Sequence, residues 1–295
     1  MWRSKGRFVY LYIKKKNMFG YIGGKNRIGK WIKDYIPTDI KTYVEPFGGM
    51  YWVYFNLDLK KYPNTEFIYN DTNIMNYNLF KCVMESPETL YKMMDELPNQ
   101  EEGNSNGHPE VAKLFNDFQK EIFADGYVIE EPFKVATKYT YVLSQIFMGN
   151  QPPSTAKYMD LKGKYPSRMI RNTKKMDDPK WIAKFDRITD VHNLDYKEII
   201  ELYDNDDSFF YLDPPYYTTE KYYANHQFGK DSHIKLANML HNIKGRFALS
   251  YYDFDGLEEL FPKDKYKWEY KEYKKLSGSR AKTAAKAVEV LIMNY

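Results

Sequence analysis

Short, continuous apolar runs bounded by polar clusters recur along the chain at residues 42–44, 66–69, 188–192, 209–212 and 247–250, with a closing pair at 267–273 and 288–293. Four to eight apolar residues in unbroken sequence have the length and composition of strands buried on both faces. Between them, apolar positions spaced for a helical face predict helices at 28–35, 50–59, 196–203 and 231–243. From residue 86 to about 184 the strand signals fade, and helices are predicted at 87–97, 109–122 and 131–147, with a Gly/Asn-rich loop at 103–107. This order of elements predicts an α/β fold with one wound sheet interrupted by a mainly helical insertion. The sheet domain is expected over 19–85 and 186–295, the insertion over 86–185, and a basic extension over 1–18. No internal repeat and no low-complexity segment is present.

Composition narrows the class. With 295 residues, 43% hydrophobic and 28% charged, the chain has an ordinary globular balance and no apolar run of membrane-spanning length. The opening basic and apolar residues imitate a signal peptide, but the apolar part is short and no small-residue cleavage site follows, so a cytoplasmic protein is expected. The single cysteine, Cys82, fits a reducing compartment. The net charge of +4 conceals segregation. Residues 1–33 hold ten Lys or Arg and no acid, 157–184 and 263–286 each hold nine basic against three acidic residues, and 95–131 holds ten acidic residues and two lysines. Such an arrangement predicts one surface for phosphates and another kept away from them.

Candidate chemistry sits at the end of the run Phe209-Phe210-Tyr211-Leu212, where Asp213-Pro214-Pro215-Tyr216 follows. Open α/β sheets bind ligands outside the carboxyl ends of their strands. Consecutive prolines fix φ and remove two N–H donors, leaving stiff carbonyls. A carboxylate beside such a carbonyl suits an exocyclic aromatic amine, whose lone pair is conjugated into its ring. Asp213 and the Pro214 carbonyl would hold both amine hydrogens and favour a pyramidal nitrogen facing a methyl donor, and Tyr216 would stack on the extruded base. The plainer alternative is a turn closing an ordinary strand.

A second constellation, Glu45-Pro46-Phe47-Gly48-Gly49, follows the strand at 42–44. Its glycines allow close backbone approach to a ligand, and Glu45 offers a negative charge to an α-ammonium group. The next strand ends in Asn70-Asp71, about twenty residues on, where ribose hydroxyls are usually bound. Together these describe a nucleoside site. No full G-x-G-x-x-G is present, which weakens a dinucleotide reading, and the G-x-x-x-x-G-K match at 24–30 is followed by Trp31 where a phosphate loop needs Ser or Thr. The stretch Phe19-Gly20-Tyr21-Ile22-Gly23-Gly24-Lys25 better suits closure over a nucleoside.

Taken together, Gly23-Gly24-Lys25, Val44-Glu45-Pro46-Phe47-Gly48-Gly49, Asn70-Asp71 and Asp213-Pro214-Pro215-Tyr216 occur in the order found in the Dam-like (D12 class) adenine-N6 DNA methyltransferases, which the chain resembles from Phe19 onward. The resemblance implies a Rossmann-like sheet that binds S-adenosyl-L-methionine and a target-recognition region inserted before the Asp-Pro-Pro-Tyr strand. By motif match Tyr21, Lys25, Asp71 and Asp213 look like cofactor-contacting positions, with Asp195 a further one framing the adenosyl group. The expected activity is methyl transfer to N6 of a flipped adenine in duplex DNA. Cytosine-N4 transfer, an RNA substrate and a catalytically silent binding protein remain as alternatives.

DNA contacts are expected from Gln145, Asn150, Gln151 and Lys157 at a loop tip entering a groove, with Lys162, Lys164, Arg168, Arg171 and Arg280 on phosphates. The run Gln151-Pro152-Pro153-Ser154 departs from the pattern of GATC-specific relatives, so GATC specificity does not follow from the resemblance and the recognition sequence is left open. The five histidines lack metal-ligand spacing, and methyl transfer from a sulfonium needs no metal. No metal and no membrane partner is expected, and the protein is expected to be a monomer or weak dimer.

Overall fold

The computed structural model describes residues 25, 28–100, 104–146, 157–160, 162, 168–217, 228–274 and 286–295. Among these residues, strands β1 (Thr42–Glu45), β2 (Glu66–Asn70), β3 (Asp190–His192), β4 (Ser208–Leu212), β5 (Arg246–Tyr252), β6 (Lys267–Lys274) and β7 (Lys286–Met293) form one seven-stranded sheet. Its order is β3-β2-β1-β4-β5-β7-β6. The first five strands are parallel, whereas β7 runs antiparallel between β5 and β6. The chain order reverses between β1 and β4, whose pairing sets Val44 beside Phe210. A reversal of this kind leaves a crevice at the carboxyl ends of the two strands. The fold is therefore a Rossmann-like α/β sheet.

The inner strands are apolar throughout because both faces are covered. Tyr43, Phe209 and Tyr211 point into one hydrophobic cluster, and Val44, Phe210 and Leu212 into the other. The first cluster continues without a break into the inserted helices through Phe80, Phe115, Tyr139 and Val142. After α1 (Gly29–Ile32) the helices on this side are α2 (Ile74–Glu85), α3 (Pro87–Asp95), α4 (Pro109–Ile122), α5 (Pro132–Gln145), α6 (Arg168–Met176) and α7 (Pro179–Phe185). α5 packs on α2, α3 and α4, which couples the insertion to the sheet. The opposite face is covered by α8 (Tyr196–Tyr203) and α9 (Lys230–Leu240), with the short α10 (Leu257–Leu260) alongside. No helix among the described residues is long and apolar enough to cross a membrane.

Local signals account for most boundaries. Ser86 and Asp178 accept hydrogen bonds from Thr89 and Lys180 N–H groups to cap α3 and α7, and proline opens α3, α4, α5 and α7. α2 was not predicted, although Asn73 caps it by accepting from Met75 N. The predicted helix at 50–59 is corrected. The segment forms a turn and two 3-10 turns, Tyr54–Asn56 and Leu59–Lys61. Tyr51 has φ 53, and Tyr54 N donates to the Glu45 carboxylate at 3.0 Å instead of closing an α-turn onto Met50. Burial of Tyr51, Trp52, Val53, Tyr54 and Phe55 together explains the departure, since no polar face is left for a surface helix.

Gln145 is also relocated. Instead of standing at a loop tip it ends α5 with a buried side chain, and its Oε1 accepts from Gln100 Nε2 at 2.7 Å. Ile146 then bridges Tyr158 in antiparallel fashion, and Met159 N donates to Gln145 O at 2.9 Å. Gln145 thus belongs to the base of the segment that it was expected to tip.

Candidate active site

Four carboxylates gather at the carboxyl edge of the parallel strands. Glu45 ends β1, Asp71 follows β2, Asp213 follows β4, and Glu289 lies near the start of antiparallel β7, opposite Tyr252 at the end of β5. Lys25, immediately before α1, reaches into this group. Its Nζ lies 2.7 Å from Asp213 Oδ1 and 3.2 Å from Glu289 Oε1. It also donates to the Tyr216 hydroxyl, which in turn donates to Glu289 Oε1. The ammonium stands 4.4 Å from the centroid of the Tyr216 ring. Tyr216 packs against Tyr251 and Tyr252, and Pro214 and Pro215 are buried, so the loop after β4 is held rigidly.

Burial raises the Asp213 carboxyl to about 6, with Lys25 opposing the rise and Glu289 adding to it. Burial likewise raises Glu45 to about 8, against hydrogen bonds from the Tyr43 hydroxyl and Tyr54 N. Displaced carboxylates in a cleft are the usual mark of a reacting or binding site. Because Asp213 accepts hydrogen bonds best when ionised, kcat/KM for methyl transfer is expected to rise with pH through about 6 and level off above it. Below that value it should fall about tenfold per pH unit. A pH–rate profile flat from pH 5 to pH 8 would contradict this role.

The turn after β1 is built on its two glycines. Gly48 N donates to Asn70 O at 2.8 Å, and Gly49 adopts φ 50. Asp71 fastens the turn, since Oδ2 accepts from Gly49 N at 2.8 Å and from Asn76 Nδ2 at 3.0 Å, while Oδ1 accepts from Asn73 N at 2.7 Å. Asn70 Nδ2 donates to Pro46 O and Leu194 O, drawing the segment after β3 onto the end of β2. Phe47 stacks on Tyr196 at 5.4 Å, and the Tyr196 hydroxyl is buried without a hydrogen-bond partner among the described residues.

The structure thus brings together Lys25, Glu45, Pro46, Phe47, Gly48, Gly49, Asp71, Asp213, Pro214, Pro215 and Tyr216 around one crevice. Asp195 stands apart as the exposed N-cap of α8, accepting from Lys197 N and paired with Glu198 in a capping box. Its neighbour Asn193 donates to Asp71 O at 2.7 Å. Lys157 and Lys162 are exposed within the insertion, and Arg168 and Arg171 lie on α6. Tyr21, Asn150, Gln151, Lys164 and Arg280 lie outside the described residues. Sequence reasoning missed Glu289. Its signal was a lone carboxylate in the run Val288-Glu289-Val290-Leu291-Ile292, at a position that faces the core.

The sheet order, the glycine turn and the Asp-Pro-Pro-Tyr loop at the switch point define a Rossmann-like methyltransferase. The chain belongs to the D12 class N6 adenine-specific DNA methyltransferases, whose pattern matches residues 21–288. It is 23% identical over 285 residues to the Type II methyltransferase M.CviBI of Paramecium bursaria Chlorella virus NC1A, a match covering 95% of this chain and 100% of that one. It is also 26% identical over 251 residues to the Type II methyltransferase M.MjaIII of Methanocaldococcus jannaschii, covering 79% of this chain and 82% of that one. Its activity is site-specific methylation of adenine in DNA.

Proposed function

We propose that the chain moves a methyl group from S-adenosyl-L-methionine to N6 of an adenine flipped out of duplex DNA, with Asp213 and the Pro214 carbonyl receiving the amine hydrogens. The observation carrying this reading is the nitrogen already lodged against Asp213. Lys25 Nζ, 2.7 Å from Oδ1, marks a place where a nitrogen donor fits inside the crevice.

The residues around the crevice suit the cofactor. Asp71 Oδ1 carries one hydrogen bond among the described residues and retains capacity for a ribose hydroxyl. The Phe47 and Tyr196 pair offers an aromatic wall with a buried hydroxyl in want of a partner, as an adenine ring requires. Tyr21 and Asp195 remain candidate contacts by motif match. When bound, the cofactor supplies an electrophilic methyl group on a positive sulfur. Asp213 and Pro214 orient the amine, Tyr216 supports the base, and Asp213 takes up the proton that the nitrogen sheds after it is methylated. Positioning provides most of the acceleration in such a transfer.

Glu45 gives this assignment a test that needs no turnover. Its raised value of about 8 means that it is mostly protonated at pH 7 before an ammonium group arrives. Pairing with the α-ammonium of the cofactor favours the ionised form, so binding at pH 7 should release close to one proton. Calorimetry in buffers of different ionisation enthalpy is expected to show that release, and Glu45→Gln should abolish it.

The insertion at 86–185 is assigned to reading DNA, with Lys157, Lys162, Lys164, Arg168, Arg171 and Arg280 on phosphates and Asn150 and Gln151 toward bases. A monomer or weak dimer in the cytoplasm of a bacterial or phage-infected cell fits this reading. The decisive experiment is transfer of labelled methyl from S-adenosyl-L-methionine to unmethylated genomic DNA, with nucleoside analysis and mapping of modified positions. N6-methyladenine at one short motif is expected. N4-methylcytosine, or labelling of RNA alone, would overturn the reading.

A further inference from the structure

Asp213 cannot serve two nitrogens with one oxygen in the same direction. Its Oδ1 holds Lys25 at 2.7 Å, and both side chains are largely screened from water. An amine that takes this oxygen displaces a buried ammonium, and such an ammonium needs another carboxylate close by, because an unpaired charge in the interior is costly. Glu289 meets that need. Its side chain is fully buried, its Oε1 already lies 3.2 Å from Lys25 Nζ, and its Oε2 has no hydrogen-bond partner among the described residues. A buried carboxylate oxygen without a donor is unfavourable for folding alone, where a neutral side chain would pack at lower cost.

We propose that Glu289 is the alternate seat of Lys25: when the target base enters, the ammonium passes from Asp213 to Glu289, and Asp213 Oδ1 turns to the amine. This rests on the reading of Asp213 as the amine acceptor. The exchange needs only a small movement, since Lys25 already bridges both carboxylates and the Tyr216 hydroxyl joins it to Glu289. It also explains why two carboxylates face one ammonium. After the exchange Lys25 and Glu289 neutralise each other, and Asp213 keeps a full negative charge for the amine and for the proton released later. Glu289 is a positioning residue in this scheme, acting through Lys25. Among the described residues, Glu45 of β1, Tyr211 of β4, Tyr216 and Tyr273 of β6 also interact electrostatically with Asp213.

Glu289→Gln keeps the shape of the side chain and removes the competing charge. In the full chain it is expected to raise KM for duplex DNA at least about tenfold, leave cofactor affinity unchanged, and weaken the fluorescence rise of 2-aminopurine placed next to the target adenine, which loses its stacking partner when that adenine flips. The acid limb of its kcat/KM profile should move to lower pH, because Asp213 then keeps Lys25 and loses the repulsion of Glu289. In the double variant Lys25→Met/Glu289→Gln, compared with wild type in the absence of cofactor because Lys25 is also a cofactor-contacting candidate, no ammonium blocks Asp213, so the 2-aminopurine signal should recover to the wild-type level or above. Wild-type DNA KM together with an unmoved acid limb in Glu289→Gln would overturn the proposal. If that variant does not fold, the double variant decides, and a 2-aminopurine signal below wild type overturns the exchange. Asp213→Ala measured in parallel separates the two ideas. Its continued activity would remove the acceptor reading itself, whereas its silence beside a wild-type-like Glu289→Gln would remove the exchange alone.

Discussion

Asp213→Ala is expected to lower methyl transfer to duplex DNA by on the order of 10³-fold, the scale found when one group aimed at the developing charge of a transition state is removed. The conjugated amine has little nucleophilicity of its own, so the acceptors that draw its hydrogens out of the ring plane supply what the ring withholds. Asp213 is the charged member of the pair, and burial beside Lys25 and Glu289 strengthens each hydrogen bond it accepts. Cofactor affinity should change little, and the fold should survive because Lys25 retains Glu289 at 3.2 Å. Asp213→Asn keeps one acceptor oxygen without the charge and should lose on the order of 10²-fold, as loss of a positioned base does. Single-turnover transfer with saturating DNA reads both losses directly. Near-normal rates in Asp213→Ala would refute the assignment.

The parallel strands were legible because burial on both faces leaves continuous apolar runs, and β4 and β5 extend their predicted cores at 209–212 and 247–250 by only a few residues. Helices with a proline or a capping side chain at the start were equally readable. α4 spans Pro109–Ile122 and α8 spans Tyr196–Tyr203, as predicted. What escaped were features decided by distant partners. The segment at 50–59 resembles a helix until Glu45, nine positions earlier, takes the Tyr54 N–H. Gln145 resembles a reader of bases until Gln100 takes its side chain into the interior. Glu289 has no local pattern of its own and gains meaning only when β7 inserts beside β5 and brings it to Lys25. The motifs point to the carboxyl ends of β1 and β4, but they did not reveal that Asp213 Oδ1 pairs with the Lys25 ammonium.

The glycine turn yields the other large effect. Gly48→Ala is expected to destabilise the protein by about 3 kcal/mol and to weaken cofactor binding, since overfilling a packed site costs roughly 1–3 kcal/mol or more when neighbours cannot retreat. A Cβ on Gly48 would lie 2.4 Å from Tyr69 Cε2 and 2.8 Å from the backbone oxygen of Asn70. Neither atom can yield cheaply. The Tyr69 ring is fully buried, stands edge to face with Tyr51 at 5.2 Å, packs on Phe80 at 4.3 Å, and is pinned by its hydroxyl donating to Gly49 O at 2.9 Å. Asn70 O is the acceptor of the Gly48 N–H itself, so any retreat lengthens that bond. Strain would pass along the turn to Gly49 and from there to Asp71, whose Oδ2 accepts the Gly49 N–H at 2.8 Å. Asp71 is the proposed ribose contact, which links the loss of stability to a loss of affinity. Chemical denaturation and equilibrium binding of the cofactor measure the two effects separately, and a variant with wild-type values for both would show that the turn has slack that its contacts deny.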